Sequence, residues 1–247
     1  MPEHTLSYAD GDLPLHGFLA TPDASFTGPS PLVLVVPEIT GIQDHARRRA
    51  RMLAKLGYVS LAVDLYGRPV TPDEIPALVQ IFNATPDLLR RRMRAALAAA
   101  LKLPGVDTSR TAAIGYCFGG KAALELARDG AHLNGVVSFH GSLDTQSGLP
   151  TGRVRAKLLI CHGADDPFVP PPQVEAFHAE MQAQGVDYQF ITYSGTQHGF
   201  TNADLIGLNM PGIVYSETAD RRSWAAMCDF LREVFAEPAA KPAKEPA

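Results

Sequence analysis

Cysteine is scarce in this chain of 247 residues: there are three, at positions 117, 161 and 228. Thiols so few and so scattered build neither a disulfide framework nor a zinc site. A reducing, cytoplasmic setting is therefore expected, and it keeps a thiol available for chemistry. Long apolar runs are also missing. None reaches the roughly 18 residues that a membrane-spanning helix needs, and the opening MPEHTLSYADGD has neither the basic nor the apolar region of a signal peptide. Net charge is small: 22 Lys and Arg against 26 Asp and Glu leave a formal −4. That balance argues against nucleic acid or an anionic membrane as a partner. Two basic runs, ARRRARMLAKLG and LLRRRMRAAL, depart from the average, and each is expected to be a solvated helix face. No internal repeat and no second domain are visible.

Alternation of elements is what the chain has in quantity. Its first 20 residues alternate apolar and polar positions around ADGDLP, which predicts a β-hairpin turning at Asp-Gly. Strands are then expected over 31–38, 58–65, 111–117, 133–141, 156–165 and 187–195. Several are apolar almost throughout, as strands covered on both faces should be. Helices are expected over 44–56 (stopping at Gly57), 86–102 (opening with Thr85 as N-cap and Pro86 as N1), 171–184 (ending at Gly185) and roughly 217–235. The second places Leu89, Met93, Ala96 and Ala100 on one face, and the third Val174, Phe177 and Met181. This order predicts an α/β fold, a doubly wound and mostly parallel sheet with an N-terminal antiparallel hairpin, in one domain over 1–236. The Pro/Ala/Lys-rich stretch EPAAKPAKEPA, residues 237–247, is expected to be disordered.

Ligands in such sheets sit beyond the carboxyl ends of the strands, so residues that end strands are the ones to weigh. Cys117, in GYCFGG, ends an apolar strand and opens a helix, the setting of a nucleophile elbow. A strained turn there needs small residues two places either side, which Gly115 and Gly119 supply. The N–H groups opening the helix favour a thiolate. The competing reading is a buried strand-end thiol, a common place for free cysteine. A nucleophile elbow calls for an acid and then a histidine later in the chain. HGADDPFVP and YSGTQHGF supply Asp166 and His198, each after a strand. Asp166 is favoured over Asp165 because the rigid turn at Pro167 would hold its carboxylate. Its task would be to orient the imidazole and stabilise it when charged. Glu38, in VVPEITG, ends another strand, and its position alone also fits a solvent-facing loop. The backbone N–H groups of Ile39 and Phe118 are the expected oxyanion donors. A metal site from His140, His162, Asp165 and His198 lacks tight ligand spacing, and no metal is expected.

VVPEITG, DLYGR, GYCFGG, HGADDPFVP, QHGFTN and ADRRSW together resemble the dienelactone hydrolase family, a cysteine branch of the α/β-hydrolase fold, over roughly residues 5 to 235. The resemblance implies Cys117 as nucleophile, Asp166 and His198 as its partners, and Glu38 as a glutamate that interacts with the resting thiol. It also implies attack on a small ester or lactone, a thioester intermediate, and hydrolysis by water with His198 as base, without metal or organic cofactor. The chain departs from the characterised lactone hydrolases in the arginines that hold the substrate's carboxylate. None lies between Arg68 and Arg90, and none in QHGFTNADLIGLNM; Arg90 to Arg94 are expected on an exposed helix face. An esterase or thioesterase acting on less polar acyl groups is thus a close alternative. A non-catalytic thiol sensor is a more distant one. His140, in SFHGS, is expected to line the substrate pocket, with a core or rim position as the competing reading. The expected assembly is a monomer or small homo-oligomer.

Overall fold

The computed structural model describes residues 1–24, 27–85, 87–145 and 152–236; the tail and Pro86 lie outside the described residues. The chain opens with the hairpin β1 (Glu3–Asp10) and β2 (Leu13–Ala20), whose turn passes through Gly11 at φ 60°. There follow β3 (Ser30–Val36), α1 (Asp44–Lys55), β4 (Val59–Ala62), α2 (Ile75–Ala84), α3 (Leu88–Ala100), β5 (Val106–Tyr116) and α4 (Phe118–Arg128). The remainder is β6 (Gly135–Phe139), β7 (Lys157–Gly163), α5 (Pro171–Gln184), β8 (Tyr188–Tyr193) and α6 (Glu217–Ala236). Eight strands form one sheet in the order β1-β2-β4-β3-β5-β6-β7-β8. The hairpin joins β4 antiparallel, and every pairing from β4 to β8 is parallel.

The apolar runs follow from burial on both sides. In β3, Leu32, Leu34 and Val36 pack into one core, while Val33 and Val35 pack into the other, all without exposure. Each such side chain contributes roughly 1.5–3 kcal/mol on burial. One core is closed by α1 and α6 through Ala46, Ala50, Leu53, Met227, Phe230 and Leu231. The other is closed by α2 to α5 through residues such as Phe82, Leu89, Met93, Leu124 and Phe177. Among the described residues no helix is long and apolar enough to cross a membrane.

Three expectations change. The strand sought over 58–65 stops at Ala62 because Asp64 turns the chain: its carboxylate accepts from Tyr66 N and Gly67 N at 2.8 and 2.9 Å, and from His16 N of β2 at 2.8 Å. A helix not anticipated, α2, fills part of the stretch between Arg68 and Arg90, burying Leu78 and Phe82 one turn apart. Nor are the basic runs solvated throughout. Arg49 and Arg90 are buried, Arg90 against Glu125 with Nε to Oε2 at 2.9 Å. Arg92 turns its guanidinium to the Leu65 carbonyl, whereas Arg91 and Arg94 remain exposed.

Candidate active site

The chain leaves β3 toward β4 on one side and leaves β5 toward β6 on the other, so the crevice between β3 and β5 is the topological switch point. Glu38 and Ile39 lie just past β3 and Cys117 just past β5. His140 follows β6, Asp166 lies beyond β7 and His198 beyond β8. Strand-end placement thus brings residues from five loops to one edge of the sheet.

Cys117 sits at φ 55° and ψ −120°, a conformation that a side chain adopts only when its surroundings enforce it. Two close approaches supply the force. A β-carbon on Gly115 would overlap the Gly119 carbonyl, and one on Gly119 would overlap the carbonyls of Val36 and Pro37. With no β-carbons in the way, α4 starts immediately at Phe118 and presses against the end of β3. The Cys117 N–H donates to Phe139 O at 3.0 Å and to His140 Nδ1 at 3.1 Å.

His198 Nδ1 lies 2.8 Å from Asp166 Oδ2, and both residues are buried. The second oxygen, Asp166 Oδ1, accepts from Phe168 N at 2.9 Å, which fixes the carboxylate. Asp165, its neighbour, is exposed and has no such contact with the imidazole. Burial opposes a charge on His198, but hydrogen bonds to Asp166 and Cys117, and their negative charge, outweigh it and raise its pKa to about 10. The imidazolium is therefore the favoured form beside the Cys117 sulfur. The other thiols are placed differently: burial pushes Cys161 up to about 12 and moves Cys228 in the same direction.

Glu38 differs from its expected place. Its carboxylate is engaged by His45, with Nδ1 2.6 Å from Oε1, and by Asn202, whose Nδ2 donates at 3.1 Å, rather than by the Cys117 thiol. The His45 contact is short but off the ideal hydrogen-bond line. Burial pushes the Glu38 carboxyl upward, yet His45 and then Asn202 hold it below its ordinary value. Behind His45 stands Arg49, whose Nε donates to His45 Nε2 at 3.1 Å and whose guanidinium reaches Asp220 and the Thr201 carbonyl. His45, Arg49, Asn202 and Asp220 were not singled out from the sequence. The four-residue spacing of His45 and Arg49 on one helix face was the available signal, obscured because the run looked uniformly basic.

A cavity of about 550 Å³ opens over Cys117 and His198. Its walls are mainly apolar: Ile39, Ile75, Val79, Phe82, Phe118, Phe168, Val169 and Ile213. The polar end holds Lys121, Ser142, Asp144 and Gln173, and there Lys121 is paired with Asp144. His140 is not part of this lining, contrary to expectation. It is 1 % exposed, because its left-handed backbone turns the ring beneath the elbow instead of into the cavity. Among the described residues no group of three or more His, Cys, Asp or Glu side chains is arranged to hold a metal ion.

Known proteins share this architecture. The dienelactone hydrolase family model matches residues 15–235. A Yersinia pestis protein provisionally named a carboxymethylenebutenolidase is 30% identical over 246 residues, covering 94% of this chain and 87% of its own. The crystal structure of a dienelactone hydrolase-like promiscuous phosphotriesterase, P91, from metagenomic libraries is 39% identical, with a TM-score of 0.90 over 95% of this chain and 98% of that one. Est1E from Butyrivibrio proteoclasticus, 17% identical with a TM-score of 0.65 over 94% of this chain and 99% of that one, shares the fold. This chain belongs to the dienelactone hydrolase family, hydrolases that act on ester and lactone bonds.

Proposed function

We propose that this chain hydrolyses small esters or lactones through Cys117, His198 and Asp166. The observation that carries the reading is the strained Cys117 at the mouth of α4, sharing one cavity with an imidazole held 2.8 Å from a buried carboxylate. The thiolate attacks the carbonyl carbon, and the N–H groups of Ile39 and Phe118, which flank Cys117 in the cavity, are the donors for the oxyanion. Collapse of the tetrahedral adduct breaks the carbon–oxygen bond, and the departing alkoxide takes the proton from the His198 imidazolium. Neutral His198 then deprotonates water, which attacks the thioester; the sulfur leaves as thiolate and the proton stays on His198. Generation of the thiolate falls to His198, because Glu38 is occupied by His45 and Asn202.

An uncharged substrate suits the cavity better than a carboxylate-bearing lactone. The walls are mainly apolar and the lysine at the polar end is already neutralised by Asp144, so a free carboxylate would be desolvated with no unpaired lysine or arginine in the lining to meet it. The test is a panel of neutral aryl and alkyl esters, thioesters, neutral lactones and a carboxylated lactone, assayed with the wild type, Cys117→Ala and Cys117→Ser. A phosphotriester in the panel asks whether the activity for which the metagenomic relative is named extends to this chain. Loss of turnover in Cys117→Ala, with neutral esters preferred by the wild type, supports the reading. Unchanged turnover in Cys117→Ala refutes the nucleophile.

A further inference from the structure

The geometry points to His140 as a positioning residue: its imidazole is a strut that ties the backbone of the nucleophile to the loop carrying His198. This rests on the reading of Cys117 and His198 as nucleophile and base. Those two residues come from β5 and β8, which are separated in the sheet by β6 and β7. Three strand steps amount to roughly 14 Å, so their spacing has to be set by groups reaching across the loops. His140 starts from β6, between them.

Its backbone shows that the side chain is held in place deliberately. His140 N donates to Cys161 O at 2.8 Å, continuing the strand pairing, and the residue then turns at φ 41°. A non-glycine residue there is strained and persists only when the surroundings over-determine it. The turn aims the ring back toward β5, where Nδ1 accepts from the Cys117 N–H at 3.1 Å. Since a backbone N–H only donates, Nδ1 carries no proton. Nε2 therefore bears it and donates to Thr201 Oγ1, 2.8 Å away. The ring centroid also lies 5.1 Å from that of His198 at a steep angle, and 5.1 Å from that of Phe200. One buried side chain thus touches the nucleophile's main chain, the loop after β8 and the base.

The bond at Nδ1 needs the neutral ring, and burial, together with the neighbouring His198 and Arg49, pushes the His140 pKa well down. A strut of this kind does not touch substrate. Its loss should displace sulfur from imidazole and lower kcat, with little effect on KM.

The test compares His140→Asn, His140→Leu and Thr201→Val with the wild type. Asparagine keeps an acceptor near the Nδ1 position and tolerates left-handed backbone, leucine removes both polar ends, and valine removes only the far one. The readouts are kcat and KM on a neutral aryl ester, the rate of Cys117 alkylation by iodoacetamide followed by mass spectrometry, and thermal unfolding. His140→Leu should lose about 10²-fold in kcat, the cost of a misplacement near 1 Å, with KM within about twofold and slowed alkylation. Thr201→Val should shift the same two quantities less, and His140→Asn should recover most of the leucine loss. Equal kcat and equal alkylation in His140→Asn and His140→Leu overturn the proposal. Should the leucine variant not fold, wild-type kcat and alkylation in Thr201→Val overturn it instead. Hydrolysis retained in Cys117→Ala would defeat the nucleophile reading, while the alkylation series would still report on the strut.

Discussion

The α-carbon of Gly119 lies directly against the carbonyl of Val36, with no room for a β-carbon between them. This contact joins the first turn of α4 to the end of β3, and so joins Cys117 and Phe118 to the loop that begins with Glu38 and Ile39. Both sides of the contact are backbone, so neither yields by a rotamer change. Gly119→Ala should cost about 2 kcal/mol or more through overpacking. In whatever fraction folds, it should also separate Phe118 N–H from Ile39 N–H and reduce kcat. Urea unfolding together with steady-state kinetics measures the two effects. A variant with wild-type stability and rate would show that the close approach has no consequence.

Asp166 and Asp165 offer a comparison between adjacent carboxylates. Asp166 is buried, with one oxygen on His198 and the other on Phe168 N, while Asp165 is exposed. Asp166→Asn leaves the shape but replaces an acceptor oxygen with an amide, so the imidazole loses its orientation and the stabilisation of its charge. The expected loss is on the order of 10³-fold in kcat or more. Asp165→Asn should stay within about threefold, as exposed surface substitutions generally do little. Rate constants on one neutral aryl ester decide between them, and a reversal would exchange their roles.

The parts of this protein that were legible in the sequence are those in which one short segment carries its own explanation. GYCFGG states a strand end, a tight turn and a helix start within six residues, and the apolar runs of β3, β5, β6 and β7 state burial on two faces. Other features depend on partners far along the chain. Arg49 reads as surface until Asp220, 171 residues later, is placed beside it, and Arg90 reads so until Glu125 is. The direction of Glu38 is set by His45, and the inward turn of His140 by a left-handed φ that no composition signals. Helix α2 was hidden by the prolines around it, although Pro76 occupies the first turn, where proline is tolerated.

Glu38 and His45 make a prediction about acid stability. The folded value of Glu38 is below its ordinary 4.5, so its stabilising contribution is present above about pH 4.5 and is lost as pH falls through the folded value. His45→Leu removes the imidazole that faces Glu38 and leaves a carboxylate at 15% exposure with only Asn202. Burial then raises its pKa, and the group becomes destabilising while it is ionised. The variant should be less stable at pH 7 by on the order of 2 kcal/mol, below the cost for a fully buried pair because of that residual exposure. The gap should narrow toward pH 4. Urea titrations at several pH values measure it, and a gap independent of pH would mean that the imidazole acts by packing alone.

His198 sets the charge beside the Cys117 thiol. Its folded pKa of about 10 lies above the 6.5 of a free imidazole. Its contribution to stability is therefore complete below pH 6.5 and is lost as pH rises through about 10. Across neutral pH the imidazolium remains beside the sulfur, so iodoacetamide should label Cys117 before either of the other two cysteines. Cys161 and Cys228, pushed upward by burial, should stay unlabelled under the same conditions. In Asp166→Asn one of the groups raising His198 is weakened, and the imidazolium should give up its proton at lower pH. An NMR titration of the His198 ring signals should show that shift. Peptide mapping of alkylated protein reads the order in which the three thiols are labelled. Faster labelling of Cys161 or Cys228 than of Cys117, or His198 ring signals whose titration is unmoved by Asp166→Asn, would show that this ion pair does not govern the thiol.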